Sequence, residues 1–191
     1  MKTHPILSAI VLVFLISCDR LRTPPASDSK ATTHFPSSAA PKPQEKSAQP
    51  ADPIASIREK VERINTMKLQ SRHIEFICDE KMMIDYFYAD GEIVKITVDF
   101  GTIGDVYARE AYYYDSGELI FNYEFVEGGP ACEGCIKKDV YRSYIVGNQV
   151  IKYLRNKTEG ECRKCEFTSS SRQYRLLRAT TDEEVKQVLC G

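Results

Sequence analysis

The sequence predicts an α+β fold, an antiparallel β-meander of six or seven strands with an N-terminal amphipathic helix and a short C-terminal helix on one face. Three observations predict it. Apolar residues recur at intervals of three and four over one stretch beginning at residue 54, then at intervals of two over most of the remaining chain. Turn dipeptides of hairpin type separate the period-two runs. The connections are also far shorter than the crossover of about a dozen residues that a parallel pair requires.

The helix comes first. Asp52-Pro53 supplies an N-cap and a proline at the first helical position, and Ile54, Ile57, Val61, Ile64 and Met67 follow as one apolar stripe. The period then changes. Ile84, Tyr86 and Tyr88 alternate with Met83, Asp85 and Phe87, while Val94, Ile96, Val98 and Phe100 share a face, and Asp90-Gly91 between the runs is a type I′ hairpin signal. A second turn, Asp115-Ser116-Gly117-Glu118, lies between the runs 107–114 and 119–126. A third, Gly147-Asn148, lies between 140–146 and 150–155. Thr181-x-x-Glu184 reads as a capping box opening a terminal helix that turns Val185, Val188 and Leu189 inward.

The chain has 191 residues, with 26 basic against 27 acidic, which suits one domain plus appendages. A net charge of -1 argues against a nucleic-acid partner, because neutralising phosphates needs a concentrated excess of Lys and Arg. All ten glycines and all eleven tyrosines lie beyond residue 85, so residues 54–191 form the folded unit. Residues 18–53 read as a disordered tether rich in Pro, Ser and Ala, with Leu21 and Phe35 its only large apolar side chains. As a coil it spans roughly 30 to 35 Å, against about 110 Å if fully extended.

Residues 1–17 read as an export signal. Lys2 precedes the uncharged run from Ile6 to Ser17, which is shorter than the roughly 20 apolar residues of a spanning helix. The run ends in Leu15-Ile16-Ser17-Cys18, which resembles the lipobox of bacterial lipoproteins. The resemblance implies cleavage before Cys18, a diacylglycerol on its sulfur and a palmitate-type acyl chain on the new amine. Several such chains anchor a protein durably, at about 0.8 kcal/mol per buried methylene. The expected location is the bacterial cell envelope, with the membrane as a partner through the lipid and the leaflet open. An ordinary secretory signal with a coincidental Cys is the alternative.

The helix, meander and helix layout resembles exported lipoproteins of Bacteroidetes. The segment from Tyr112 to Phe121, with its three tyrosines and Ser116-Gly117 turn, is also similar to one hairpin of the MORN-type repeats, without recurring at a fixed period. Neither resemblance implies an activity.

Cysteines form the one chemical constellation. With Cys18 assigned to lipid, Cys78, Cys132, Cys135, Cys162, Cys165 and Cys190 remain, an even number suited to an oxidising compartment. A two-residue turn at Gly147-Asn148 makes paired positions sum to 295, which brings the two C-x-x-C motifs together at the open end of one long hairpin. Four convergent thiols can be disulfides within or across the motifs, a zinc site, or a catalytic redox pair. The 26-residue spacer exceeds the usual one for a simple four-cysteine zinc site, and extracellular thiolates tend to oxidise before they meet metal. The redox reading needs an activated thiolate, for which Lys137, Lys138, Arg163 and Lys164 are the nearest cations. Cys78 and Cys190 are candidates for a third bridge, or for two free buried thiols.

The rest is sparse. His73 is the lone histidine of the folded unit, which disfavours Ser-His-Asp and Cys-His catalysis and histidine-rich metal centres. Asp79, Asp85, Asp99 and Glu124 are carboxylates available for acid/base work, although exposed strand faces carry such charges anyway. Tyr112, Tyr113 and Tyr114 are either a binding platform or sheet cover. Residues 54–127 carry 8 basic and 15 acidic groups and residues 128–191 carry 12 and 8, a division able to orient the domain at a charged surface. The expectation is a non-enzymatic envelope lipoprotein with disulfide-stapled loops and no cofactor, binding an envelope protein or ligand. The alternative is a zinc-binding or thiol-redox protein.

Overall fold

A computed structural model describes residues 52–191. The expected export signal, Cys18 and nearly all of the expected tether lie outside the described residues. Among the described residues no helix is long and apolar enough to cross a membrane.

Helix α1 (Pro53–Thr66) opens as its sequence dictates, with the Asp52 carboxylate accepting from the Ile54 amide at 2.9 Å and Pro53 at the first position. Strands β1 (Gln70–Ile77), β2 (Lys81–Ala89), β3 (Glu92–Ile103), β4 (Val106–Asp115), β5 (Glu118–Gly128), β6 (Lys137–Val146), β7 (Gln149–Arg155) and β8 (Thr158–Glu159) follow. They form one antiparallel sheet in chain order, the expected meander. Helices α2 (Arg172–Arg178) and α3 (Asp182–Cys190) close the chain, and Thr181 and Glu184 make the expected capping box.

The strands number eight rather than six or seven. The addition is β8, a two-residue strand behind an Asn156-Lys157 turn whose residues both have positive φ. Two residues have no period to detect.

The helices do not share a face. Ile57 and Ile64 of α1 pack with Ala111, Tyr113, Phe121, Tyr144 and Leu154. Leu176 of α2 and Val185 of α3 pack with Tyr86, Ile96, Val98, Tyr112 and Tyr114 on the other side. The reason lies in consecutive apolar residues. Tyr112, Tyr113 and Tyr114 point alternately to the two faces and are all buried, so the middle of the sheet needs cover on both sides. The three tyrosines are therefore core, not an exposed platform, at 0%, 6% and 1% exposure.

Three hairpins share one device. Each turn has two central residues with positive φ, at Asp90-Gly91, Ser116-Gly117 and Gly147-Asn148, as a type I′ turn demands. Each is followed by a bulge. Tyr88 pairs with Ile93 but Phe87 with Lys95, Tyr114 with Leu119 but Tyr113 with Phe121, and Ile145 with Val150 but Tyr144 with Lys152. Val94, Ile120 and Ile151 are thus the extra residues. The extra residue shares a face with the residue after it, as Ile120 does with Phe121 on the α1 side, and the alternation beyond it is shifted by one.

Candidate functional site

The structure joins Cys132 to Cys135, Cys162 to Cys165, and Cys78 to Cys190, with Cα separations of 5.3, 5.3 and 5.5 Å, inside the usual disulfide range. The two C-x-x-C motifs do not meet. The β6–β7 hairpin keeps the sum of 295 for only two pairs before the bulge at Ile151, and it ends at Arg155 where the chain turns into β8. Cys135 precedes the start of β6, whereas the Cys165 carbonyl accepts from the Val150 amide at 2.8 Å, near the other end of that strand. At the rise of a β-strand the motifs are roughly 25 Å apart. Among the described residues no group of three or more His, Cys, Asp or Glu is placed to hold a metal ion. The four sulfurs are thus not gathered at one point, and each motif is closed on itself.

Three of the four basic residues flanking the motifs, Lys138, Arg163 and Lys164, serve other partners. Arg163 pairs with Glu124 and lies 3.8 Å from the Tyr141 ring centroid, and Lys138 pairs with Glu127 at 3.0 Å. Lys164 stands 4.8 Å over the Phe167 ring, its pKa lowered by burial and by Arg172. The Cys162–Cys165 bridge thus closes a tight loop that directs Arg163 and Lys164 across the sheet face.

That face holds a buried charge cluster on the α2 side, around a cleft of about 310 Å³. Glu110 and Glu124 sit directly opposite one another on β4 and β5. Like charges in that position repel, and each is offset separately. Arg172 and the Tyr112 hydroxyl serve Glu110; Arg163 and the Asn122 amide, at 2.9 Å, serve Glu124. Burial, then Glu110, raises the Glu124 pKa against the opposing pull of Arg163. Asn122 and Gln173, 1% and 4% exposed, each keep a side-chain oxygen without a partner among the described residues.

A larger cleft, about 570 Å³, opens on the α1 face where the helix leaves the sheet uncovered. Its floor is one cross-strand row that runs His73, Asp85, Thr97, Ala111, Tyr123 and Arg142 from β1 to β6. Small side chains at Thr97 and Ala111 make the depression. Lys95, Tyr113 and Phe121 form the next row, under Val61 and Asn65 of α1, and Met83, Asp99 and Arg109 line the other side.

The cleft is chemically two-sided. On the β1–β3 flank the carboxylates are already engaged. Asp85 holds the His73 Nδ1 at 2.6 Å, and the Thr97 hydroxyl donates to it at 3.4 Å. Asp99 accepts from the Gly101 amide at 2.9 Å and the Tyr107 hydroxyl at 2.8 Å. Asp85 first, then Glu75, raises the His73 pKa above its ordinary value. Lys95 donates to the Asn65 side chain at 2.9 Å and faces the Tyr113 ring at 5.2 Å.

On the β4–β6 flank, Arg109 lies 5.1 Å over the Phe125 ring and Arg142 lies 5.7 Å over Tyr123. Neither enters any of the ion pairs formed among the described residues, and Arg142 Nη1 is buried without a hydrogen-bond partner there. Of this cleft, the sequence indicated only His73, Asp85 and Asp99 as chemistry-bearing residues, and Tyr113 as part of a platform. Arg109 and Arg142 were missed for a geometric reason. An unbroken register from Ser116-Gly117 sets Arg109 opposite Glu124, but the bulge at Ile120 sets it opposite Phe125.

Comparison of the chain with protein-family models, with curated proteins and with solved structures finds no match.

Proposed function

We propose that this protein is a membrane-anchored envelope lipoprotein, acylated at Cys18, whose disulfide-stapled sheet domain is a non-enzymatic binding module. The binding part rests on the α1-face cleft, a concavity large enough for a small molecule and built from side chains on paired strands rather than on loops. The non-enzymatic part is supported by His73. Both of its ring nitrogens face carboxylates, Asp85 at 2.6 Å and Glu75 at 3.3 Å, so neither is directed at a nucleophile. The envelope part rests on Leu15-Ile16-Ser17-Cys18 and on the even number of cysteines that remain once Cys18 is set aside.

Expression in a bacterial host tests the anchor. The chain is expected in the membrane fraction, starting at Cys18, carrying lipid and showing the mass deficit of three disulfides, and Cys18→Ser is expected to release it. Unprocessed chain in the cytosol with free thiols would overturn the placement. Native mass spectrometry of the detergent-solubilised protein, after incubation with a small-molecule extract of cell envelopes, tests the module. A retained adduct that disappears in Ala111→Leu, with a cooperative melting transition showing that the variant still folds, is the expected result.

A further inference from the structure

We infer that the α1-face cleft takes a ligand bearing an oxyanion, a carboxylate or a phosphate, seated between Arg109 and Arg142. The inference deepens the reading of the domain as a binding module and rests on it.

Hydrogen-bond accounting points to the ligand's charge. The three carboxylates of the cleft are all hydrogen-bonded already, Asp85 to His73 and Thr97, Asp99 to Gly101 and Tyr107, and Glu110 to Tyr112 and Arg172. Asp99 is the residue directly opposite Arg109 in register, yet the guanidinium turns away from it to Phe125. What the cleft has left over is donors. Arg109 and Arg142 make no side-chain hydrogen bond among the described residues, and Arg142 Nη1 is already out of water. A buried donor of a charged group left unpaired is costly, and a charged acceptor relieves that cost most fully. A cationic ligand would meet Lys95, Arg109 and Arg142 while Asp85 and Asp99 are already hydrogen-bonded, and a neutral acceptor would satisfy the arginines less fully than a charged one.

The geometry also fits the chemistry. A guanidinium is a planar fork matched to two oxygens of one group, and the two forks lie within 5.1 and 5.7 Å of the Phe125 and Tyr123 rings, adjacent side chains on one face of β5. The cleft, at about 570 Å³, is larger than any single oxyanion. The anion is therefore the head of a larger molecule whose body lies on Ala111 and against Tyr113 and Phe121.

Isothermal titration of the detergent-solubilised full chain, with inorganic phosphate, glucuronate, glucose and choline as probes, tests the assignment. At least one anion is expected to bind while glucose and choline do not, and the preferred anion tells whether phosphate or carboxylate is the natural head. Arg142→Gln and Arg109→Gln should each weaken that binding by roughly tenfold or more, with Arg142→Lys restoring it only in part. Melting curves separate lost binding from lost folding, and Arg142→Lys serves if Arg142→Gln does not fold. The inference falls if neither anion binds, if glucose or choline binds as well as the anions, or if both Gln variants keep full affinity. A neutral envelope adduct that survives in both Gln variants but not in Ala111→Leu would sink the anion and leave the module standing. No adduct at all would sink the module.

Discussion

At the scale of residues, the two faces of the sheet handle charge in opposite ways, and pH separates them. His73 is exposed, and its partners favour the protonated ring. Its folded-state pKa is raised, so the stability it lends is fully present below the ordinary value of 6.5 and fades as pH rises through the raised midpoint. NMR titration of the imidazole should show a midpoint above 6.5, and Asp85→Asn should bring it back down. An unmoved midpoint in that variant would mean that Asp85 does not hold the ring in solution. Glu124 is also shifted upward, but there it is the neutral form that the fold favours. Burial and Glu110 raise its pKa, so the folded state keeps the Glu124 proton more tightly than the unfolded chain does. Stability should decline as pH rises from the ordinary 4.5 through the raised midpoint, and Glu124→Gln should flatten that decline. Parallel melting-temperature profiles for the two proteins would contradict it.

At the scale of elements, the parts legible in the sequence were those with a local cause. The α1 cap, the hairpin turns and the α3 capping box each occupy a few contiguous residues, and the structure shows each of them. What was not legible depends on bulges. A bulge adds one residue and reverses every face beyond it, so Arg109 gained a different neighbour, while the long hairpin expected to unite the four loop cysteines ends at Arg155, where the Asn156-Lys157 turn leads into β8. Helix α2 escaped notice because its seven residues, Arg-Gln-Tyr-Arg-Leu-Leu-Arg, are held chiefly from outside. Buried tyrosines supply that hold, the Tyr86 hydroxyl donating to the Leu176 carbonyl at 3.2 Å and that of Tyr114 to the Gln173 carbonyl at 2.8 Å. This also explains why a core would use tyrosine where phenylalanine packs as well. The three bridges should differ in worth. Cys78–Cys190 spans 112 residues and each C-x-x-C bridge spans 3, which on chain entropy alone corresponds to about 5 against about 2 kcal/mol. Denaturant titration should therefore show Cys78→Ser/Cys190→Ser as the larger loss. Equal losses would mean that native-state contacts, not the unfolded chain, set the effect.

At the scale of the whole molecule, a meander places sequence neighbours beside each other in space, so most of the sheet closes through local pairings. The long-range closures come from α1, packed on Tyr144 and Leu154, and from the C-terminal helices. Arg72 of β1 pairs with Asp182 and donates to the Thr180 carbonyl at 3.3 Å, Cys78 is bonded to Cys190, and Leu176 and Val185 are fully buried against the sheet. The exposed ion pair adds little, whereas each buried aliphatic side chain is worth about 2 to 5 kcal/mol against alanine. The helices are therefore held by packing and one covalent bond, while β3, β4 and β5 are held by paired strands on both sides. Opening should begin at the chain's end. Hydrogen exchange under reducing conditions is expected to release residues 172–190 well before the amides of β3 to β5, and Leu176→Ala should widen the gap by weakening the helices alone. Exchange of the helices and the central strands at one common rate, before and after reduction, would show instead that sheet and helices unfold as a single unit.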